Sequence, residues 1–161
     1  AADKLLAVLH LTNNAVSSFV TGQVTEAVIL GTLCCLGMLL LGLPYALPVS
    51  VIIAALSLIP IFGAWIGAAT GAFLIVFQSP IKALTFLIFL LILQQVEGNL
   101  IYPRVVGKSV GLPGLWVLAA VTIGGGAFGI LGMLLGVPVC SVVYSLVQAY
   151  IRTKPEAEEI Q

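Results

Sequence analysis

The sequence predicts an all-α, polytopic integral membrane protein, a bundle of apolar helices that includes two helical hairpins. Of its 161 residues, 61% are hydrophobic and only 7% are charged, whereas about one quarter of a soluble domain is charged. Uncharged runs extend from Glu26 to Lys82 and from Lys108 to Arg152, and each exceeds the roughly 20 residues of one membrane crossing. Proline and glycine interrupt both runs, which predicts helices that break and turn back.

The first two segments are predicted to be separate helices. Residues 1–22 mix polar side chains with an apolar stripe at helical spacing, which indicates an amphipathic, interfacial helix. Residues 24–43 are almost uniformly apolar and end at Gly42 and Pro44, which is typical of a spanning helix. Glu26 would lie in the first turn of that helix. We interpret it as a capping or membrane-interface residue, an acid that complements the positive end of the helix dipole.

Residues 45–78 are predicted to form the first helical hairpin. The chain should break between Pro60 and Gly63, because proline lacks an amide donor and glycine tolerates the dihedral angles of a tight turn. Gly63, Gly67 and Gly71 recur every four residues and give the returning arm a smooth face for close packing. Ordinary helix packing and a functional role both remain open for this face.

Residues 80–98 are predicted to form a helix with a polar end. Ser79 is a suitable N-cap, and Pro80 occupies the first helical position, where its missing amide hydrogen costs nothing. Residues 99–114 form the most polar stretch of the chain and are predicted to be a surface or re-entrant loop.

Residues 115–151 are predicted to form a second, glycine-rich hairpin, followed by a polar tail over residues 152–161. So many glycines make a straight helix improbable, since each costs roughly 1 kcal/mol relative to alanine. The residues assigned to this break are Gly124, Gly125, Gly129, Gly132 and Pro138. Broken helices at membrane depth must line a cavity or be shielded by protein. Two such units in one chain favour a secondary transporter.

The candidate solute or ion path begins at the polar end of the fourth segment. Gln95 and Asn99 are four residues apart and should share a helix face, with Tyr102 one turn further if the helix continues. Glu97 should point away from them. A carboxylate near hydrocarbon is costly, so it requires a partner or a cavity.

Two interpretations of Glu97 remain open. It is either a headgroup-level anchor or structural salt bridge, with Arg104 and Lys108 as the local cationic candidates, or a proton or cation site coupled to transport. We therefore include Gln95, Glu97, Asn99, Arg104 and Lys108 in the predicted path.

Several other functions find no support in the sequence. The net charge is zero without a basic block, which argues against nucleic-acid binding. Cys34, Cys35 and Cys140 lie in apolar segments without paired spacing, and are interpreted as small buried hydrophobic residues, not metal ligands. No phosphate loop or nucleophile elbow is present, so we predict neither an enzyme nor a cofactor.

The few cations predict an orientation. If both hairpins return to their starting side, one face carries Lys4, Arg104, Lys108, Arg152 and Lys154, and Lys82 alone lies opposite. The positive-inside rule then makes the first face cytoplasmic, with both termini on that side of the cell membrane.

Four groups of residues resemble the autoinducer-2 exporter family of permeases over most of the chain from Phe19 to about Tyr150. The groups are Phe19, Gly22 and Gln23; Ile59, Pro60, Gly63 and Gly67; Gln95, Glu97, Asn99, Pro103, Gly107 and Lys108; and Gly124, Gly125, Gly129, Gly132 and Pro138. The third group is the most specific. The resemblance is to the C-terminal half of such proteins, so the chain is expected to be a fragment or a short relative.

This resemblance implies export of a small polar solute, autoinducer-2, and for some members exchange of sodium or lithium for protons. It also implies a homo-oligomer in the lipid bilayer. A membrane scaffold or oligomerisation module is the alternative, since the glycine faces could serve helix packing alone, and a passive channel is a third hypothesis.

Overall fold

A computed structural model describes residues 2–106 and 112–152, and it confirms the predicted all-α membrane fold. The elements are α1 (Ala2–Leu40), α2 (Ala46–Ser57), α3 (Phe62–Val76), α4 (Pro80–Val96), a π-helical turn (Glu97–Ile101), α5 (Tyr102–Val105) and α6 (Gly114–Arg152). Within the described ranges, three stretches are long and apolar enough to cross a membrane: Leu6–Leu40, Pro80–Val105 and Gly114–Ile151. The chain divides into two compact units, residues 21–108 and residues 1–20 with 109–161.

Helix α1 is continuous, which corrects the predicted separation of residues 1–22 from residues 24–43. Its 39 residues correspond to about 58 Å, well beyond the roughly 30 Å of a bilayer core. The polar side chains near its start do not interrupt it, because no proline accompanies them and the single glycine at the predicted boundary, Gly22, remains helical at a cost of about 1 kcal/mol. The helix ends near Gly42, whose φ of 64° closes its last turn. There, the Leu43 amide donates to the Met38 carbonyl at 2.9 Å.

Helices α2 and α3 form the first predicted hairpin. The 12 residues of α2 and 15 of α3 extend about 18 and 22 Å, so neither arm crosses a bilayer core alone. The turn is at Ile61, with φ 69° and ψ −56°, and the Phe62 amide donates to the Pro60 carbonyl at 2.8 Å. These values describe a γ-turn of the rare positive-φ type.

Small residues allow the two arms and α4 to pack closely. A Cβ atom at Gly63 would collide with the backbone carbonyl of Leu56, and one at Gly67 would lie 3.2 Å from the Ile53 side chain. At Gly71 a Cβ would lie 2.5 Å from the ring of Phe86 on α4. The predicted smooth face of the returning arm is therefore used for packing within this unit.

The apolar core of residues 21–108 joins α1 to the hairpin and α4. Cys34, Met38 and Ile75 are fully buried, as is Phe86. Cys34 thus occupies the buried apolar position predicted for it, while Cys35 and Cys140 are partly buried.

Helix α4 begins as predicted and continues further than predicted. The Ser79 hydroxyl accepts a hydrogen bond from the Lys82 amide, with Pro80 in the first turn. The chain then remains helical through the π-turn and α5 to Val105, so the predicted loop over residues 99–114 begins too early. Helical backbone satisfies its own polar groups, which is required where the chain lies in lipid.

Helix α6 is the second predicted hairpin. Its backbone leaves helical geometry at Gly129, where φ is 64° and ψ is −141°. The two arms, residues 114–128 and 130–152, meet backbone to backbone. A Cβ at Gly124 would collide with the Gly132 carbonyl, and a Cβ at Gly136 would lie 2.6 Å from the Ala120 carbonyl oxygen.

Candidate functional site

Two carboxyl groups meet inside the unit formed by residues 21–108. Glu26 lies in the middle of α1 and is only 2% exposed, and Glu97 is the first residue of the π-turn. Their side chains interact at hydrogen-bonding range. The interpretation of Glu26 as a helix-start acid is therefore wrong, because α1 begins more than six turns earlier than predicted and places Glu26 within a spanning stretch.

Gln23 and Ser57 complete the surroundings of Glu26. Gln23 is 3% exposed, and its Nε2 donates to the Ser57 carbonyl oxygen at 2.9 Å. The Ser57 hydroxyl interacts with the Glu26 carboxyl and also donates to the Ala54 carbonyl at 2.8 Å. Ser57 is the last residue of α2, so the end of the first hairpin arm lies against the polar side chains of α1.

Two buried oxygen atoms in this cluster have no hydrogen-bond donor among the described residues. They are Oε1 of Gln23 and Oε2 of Glu26. Gln23 and Glu26 are three residues apart and therefore share one face of α1. Buried polar atoms are normally paired, because an unpaired one costs about 1–3 kcal/mol. The cluster thus presents acceptors without matching donors.

The π-turn determines where Glu97 and Tyr102 point. Pro103 has no amide hydrogen to offer to a carbonyl in the preceding turn, and Nδ2 of Asn99 donates to the Gln95 carbonyl at 2.8 Å. Both features weaken the regular α-helical ladder. In the resulting wider turn the Tyr102 amide donates to the Glu97 carbonyl. Tyr102 is accordingly placed near both carboxyl groups.

Gln95 and Asn99 form the predicted pair on one face. The Asn99 amide also donates to Oε1 of Gln95 at 3.2 Å, and both residues are exposed. This pair lies within the apolar stretch Pro80–Val105. Exposed amide groups at such a position are suited to contact a polar solute or another protein surface.

The cations predicted to neutralise Glu97 are not found beside it. Arg104 is exposed and donates to the Leu100 carbonyl at 3.3 Å. Lys108 lies outside the described residues. The neighbours that interact with Glu26 and Glu97 in the described part of the chain are each other, Ser57 and Tyr102. The acidic pair is therefore not a salt bridge to Arg104.

The residues predicted to break the second hairpin lie at its turn, between its two arms or within one arm. Gly129 is at the turn itself, and Gly124 and Gly132 bring the two arms of α6 together. A Cβ at Gly125 would lie 2.7 Å from the terminal carbon of Met133. Pro138 is inside the second arm of α6 and does not mark the turn.

The second hairpin carries an apolar groove of about 770 Å³, lined by side chains between Trp116 and Val143. Ile123, Phe128 and Leu131 are among its walls. The groove offers almost no hydrogen-bonding groups and is thus unsuited to a polar solute. Within the described residues no three His, Cys, Asp or Glu side chains form a potential metal site.

Sequence reasoning found Glu97 and missed Gln23, Glu26 and Ser57 as members of one cluster. The i, i+3 spacing of Gln23 and Glu26 was the available signal, since it places both polar side chains on one face of an apolar helix. Ser57 had no local signal, because its role depends on where α2 ends relative to α1.

Comparison with protein families identifies a match over nearly the whole chain. Residues 1–152 match the family described as AI-2E family transporter. The family is one of transporters, which confirms the prediction that the chain is not an enzyme. No solved structure matches the chain.

The curated relatives are named for transport and are longer than this chain. The candidate transport protein YueF of Bacillus subtilis strain 168 is 39% identical over 132 residues, covering 81% of this chain and 36% of that protein. The candidate transport protein YrrI of the same strain is 33% identical over 151 residues, covering 93% and 42%. The candidate permease PerM of Escherichia coli K12 is 29% identical over 140 residues, covering 86% and 40%. The chain therefore spans about two fifths of their length.

Proposed function

The chain belongs to the AI-2E family of transporters, and from that premise we propose that it acts as a secondary transporter, a permease for a small polar solute in the cell membrane. Autoinducer-2 is the candidate solute, exported in a cycle coupled to protons or sodium ions. YueF, YrrI and PerM are named for transport or permease activity without a solute. The solute and the coupling ion are therefore part of this proposal.

The observation that carries the proposal is the contact between the buried carboxyl group of Glu26 and the half-buried carboxyl group of Glu97. Both lie within stretches that are long and apolar enough to cross a membrane. An acid in such a stretch costs about 2.5–3.5 kcal/mol at a helix centre on insertion scales. Acidic side chains inside membrane helices commonly mark ion or proton pathways, and a pure scaffold has no need of this cost.

We assign the polar contacts of the solute path to Gln95, Glu97 and Asn99, with Arg104 and Lys108 at its end. The exposed amide groups of Gln95 and Asn99 offer donors and acceptors that suit a polyhydroxylated solute. Arg104 is exposed beyond them. Glu97 would connect this path to the buried cluster, since it lies between Gln95 and Asn99 along the chain and contacts Glu26 in space.

The two hairpins supply the conformational change in this proposal. The arms of the first are too short to cross the bilayer, so their turn lies at membrane depth. The strained γ-turn at Ile61 and the glycine-lined contacts would permit two alternative packings. Protonation or cation binding at the acidic pair would favour one of them.

We further propose that the protein forms a homo-oligomer and that both termini are cytoplasmic. Exposed amides at Gln95 and Asn99 within an apolar stretch support a polar or protein neighbour for this face. The charge pattern supports the orientation.

The test is a flux measurement in liposomes. The purified protein and its Glu97→Gln variant are reconstituted, and uptake of an autoinducer-2-like sugar diol is measured with and without a proton or sodium gradient. We expect saturable, gradient-dependent flux that Glu97→Gln loses. Asp3→Asn is the matched control, because it removes an exposed carboxylate from α1 and should leave flux unchanged.

Two outcomes would support the competing functions. Conductance without saturation or gradient dependence would indicate a passive channel. Full insertion and oligomerisation with no flux, unaffected by Glu97→Gln, would favour a scaffold whose close glycine contacts, such as Gly124 with Gly132, serve packing only.

A further inference from the structure

We propose that Gln23, Glu26, Ser57 and Glu97 form one binding site for a single exchangeable monovalent cation, either a proton or an alkali metal ion. The inference rests on the proposed transport function and assigns the coupling ion to a defined cluster, in which Glu97 acts as one ligand of four. Its basis is the juxtaposition of two buried acceptor oxygens on α1 with the half-buried Ser57 at the end of α2 and the half-buried Glu97 at the start of the π-turn.

The cluster contains more hydrogen-bond acceptors than donors. Oε1 of Gln23 and Oε2 of Glu26 are buried without a donor, on residues that are 3% and 2% exposed. Both side chains reach Ser57, Gln23 through its amide at 2.9 Å and Glu26 through the hydroxyl. Nε2 of Gln23 is directed to the Ser57 carbonyl, and the two remaining oxygens, on residues that share one face of α1, have no donor among the described residues. A bound cation supplies what these acceptors lack.

The two carboxyl groups of the cluster also favour a positively charged ligand. Glu26 and Glu97 interact directly, and two ionised carboxylates in a low-dielectric site repel each other strongly. Among the described residues, no Lys or Arg takes part in the interactions of this pair, and the Tyr102 phenol is the one further titratable group that interacts with it. A hydrogen bond between two carboxyl groups requires a proton on one of them. One monovalent cation therefore removes the repulsion and leaves one negative charge.

The carbonyl groups around Ser57 favour a cation as well. Ser57 is the last residue of α2, and the final carbonyls of a helix carry the negative end of its dipole. Such helix ends coordinate sodium ions or protons in transporters with broken helices. The α2 terminus therefore adds to the preference of this cluster for a positive ligand.

Ser57 also connects the occupancy of the site to the first hairpin. Its hydroxyl has one hydrogen, which it gives to the Ala54 carbonyl at 2.8 Å. An ionised Glu26 competes for that hydrogen, whereas a protonated or cation-bound Glu26 does not. Loss of the cation thus draws the Ser57 hydroxyl away from the Ala54 carbonyl. Because Ser57 ends α2, this change occurs next to the segment that leads into the turn at Ile61.

The experiment measures protonation and ion binding directly by infrared difference spectroscopy on the protein in lipid nanodiscs, across a pH titration. We expect a carboxylic-acid carbonyl band from the Glu26–Glu97 pair that is lost in Glu26→Gln and in Glu97→Gln, because an amide donates to the remaining carboxylate and no shared proton is needed. Asp3→Asn is the matched control and should retain the band. A band that survives in both glutamine variants, together with an absence of ion effects, would overturn the site.

Titration with sodium, lithium or choline chloride identifies the cation. A loss of the acid band with sodium or lithium, but not with choline, means that the alkali ion displaces the proton at this site. A band that responds to pH alone means that the proton is the ligand. Gln23→Leu removes one acceptor and should weaken the apparent sodium or lithium affinity, or shift the pH midpoint of the band, relative to the wild-type protein.

This readout is independent of solute flux. If the band behaves as expected and no solute moves, the cation site stands and the transport proposal fails. If solute flux is saturable and gradient-dependent while neither carboxyl group changes in the spectra, this site is wrong and coupling occurs elsewhere.

Discussion

At the residue scale, the cluster around Glu26 shows how a polar side chain acquires its role from burial. A glutamate near the start of a helix needs no further partner than the helix dipole. The same residue more than six turns into a spanning helix has little water available and must be neutralised or paired. Gln23, Ser57 and Glu97 meet that requirement in part, and the unpaired oxygens show that it is incompletely met.

Replacing Glu26 by glutamine should stabilise the folded protein. The amide keeps the shape of the side chain and carries no charge, so the free energy of unfolding in mixed micelles should rise by about 1 kcal/mol, at the low end for replaced buried ions. The same variant should lose gradient dependence of flux, a trade of function for stability.

Glu26→Ala is the contrasting variant for this measurement. It leaves a cavity and should lower the free energy of unfolding by about 2 kcal/mol. A clear loss of stability in Glu26→Gln would show that the carboxyl group contributes a favourable interaction that the amide cannot replace.

At the element scale, departures from regular helix coincide with the candidate site. The π-turn Glu97–Ile101 orients Glu97 and Tyr102 toward α1, and the γ-turn at Ile61 closes the hairpin whose first arm ends at Ser57. π-Turns within helices frequently occur at functional sites. The backbone strain at Ile61 is of the order of 1–3 kcal/mol for a residue outside the favoured regions.

Replacing Ile61 by glycine should relieve this strain. A β-branched residue is disfavoured at a φ of 69°, so the glycine variant should gain about 1 kcal/mol in unfolding free energy despite the greater entropy of its unfolded chain. The measurement is equilibrium unfolding in mixed micelles. Ile66→Gly, within α3 and exposed, is the matched control and should lose about 1 kcal/mol. Equal losses in both variants would refute the strain.

Two alanine variants, Gly124→Ala and Gly126→Ala, distinguish the effect of close packing on the stability of the second hairpin from the effect of helix propensity. A Cβ at Gly124 would collide with the Gly132 backbone, whereas one at Gly126 meets nothing within 4 Å. We expect Gly124→Ala to destabilise the hairpin by about 1–3 kcal/mol and Gly126→Ala to be neutral or stabilising by up to about 1 kcal/mol. Proteolysis rates at the Gly129 turn would report the difference. Similar rates for both variants would contradict the close contact.

At the scale of the whole molecule, orientation in the membrane depends on very few charges. The orientation proposed above, which follows the positive-inside rule, would have Ala2 in the cytoplasm and Lys82 on the opposite side. Single-cysteine variants at these positions, in a protein whose native cysteines are replaced by alanine, should react with a membrane-impermeant thiol reagent from opposite sides. Labelling of both from the same side would exclude the proposed topology.

The sequence by itself determined the membrane class, the two broken hairpins and Glu97 as a residue of interest, because composition, proline and glycine positions and an isolated charge are local properties. Only the tertiary structure decided that α1 is continuous, that Tyr102 turns toward Glu97, that Glu26 contacts both Ser57 and Glu97, and that Gln23 reaches the Ser57 carbonyl. Burial and the approach of one helix to another depend on residues far apart in the chain, and no periodicity within a segment encodes which side chains of different helices will face each other.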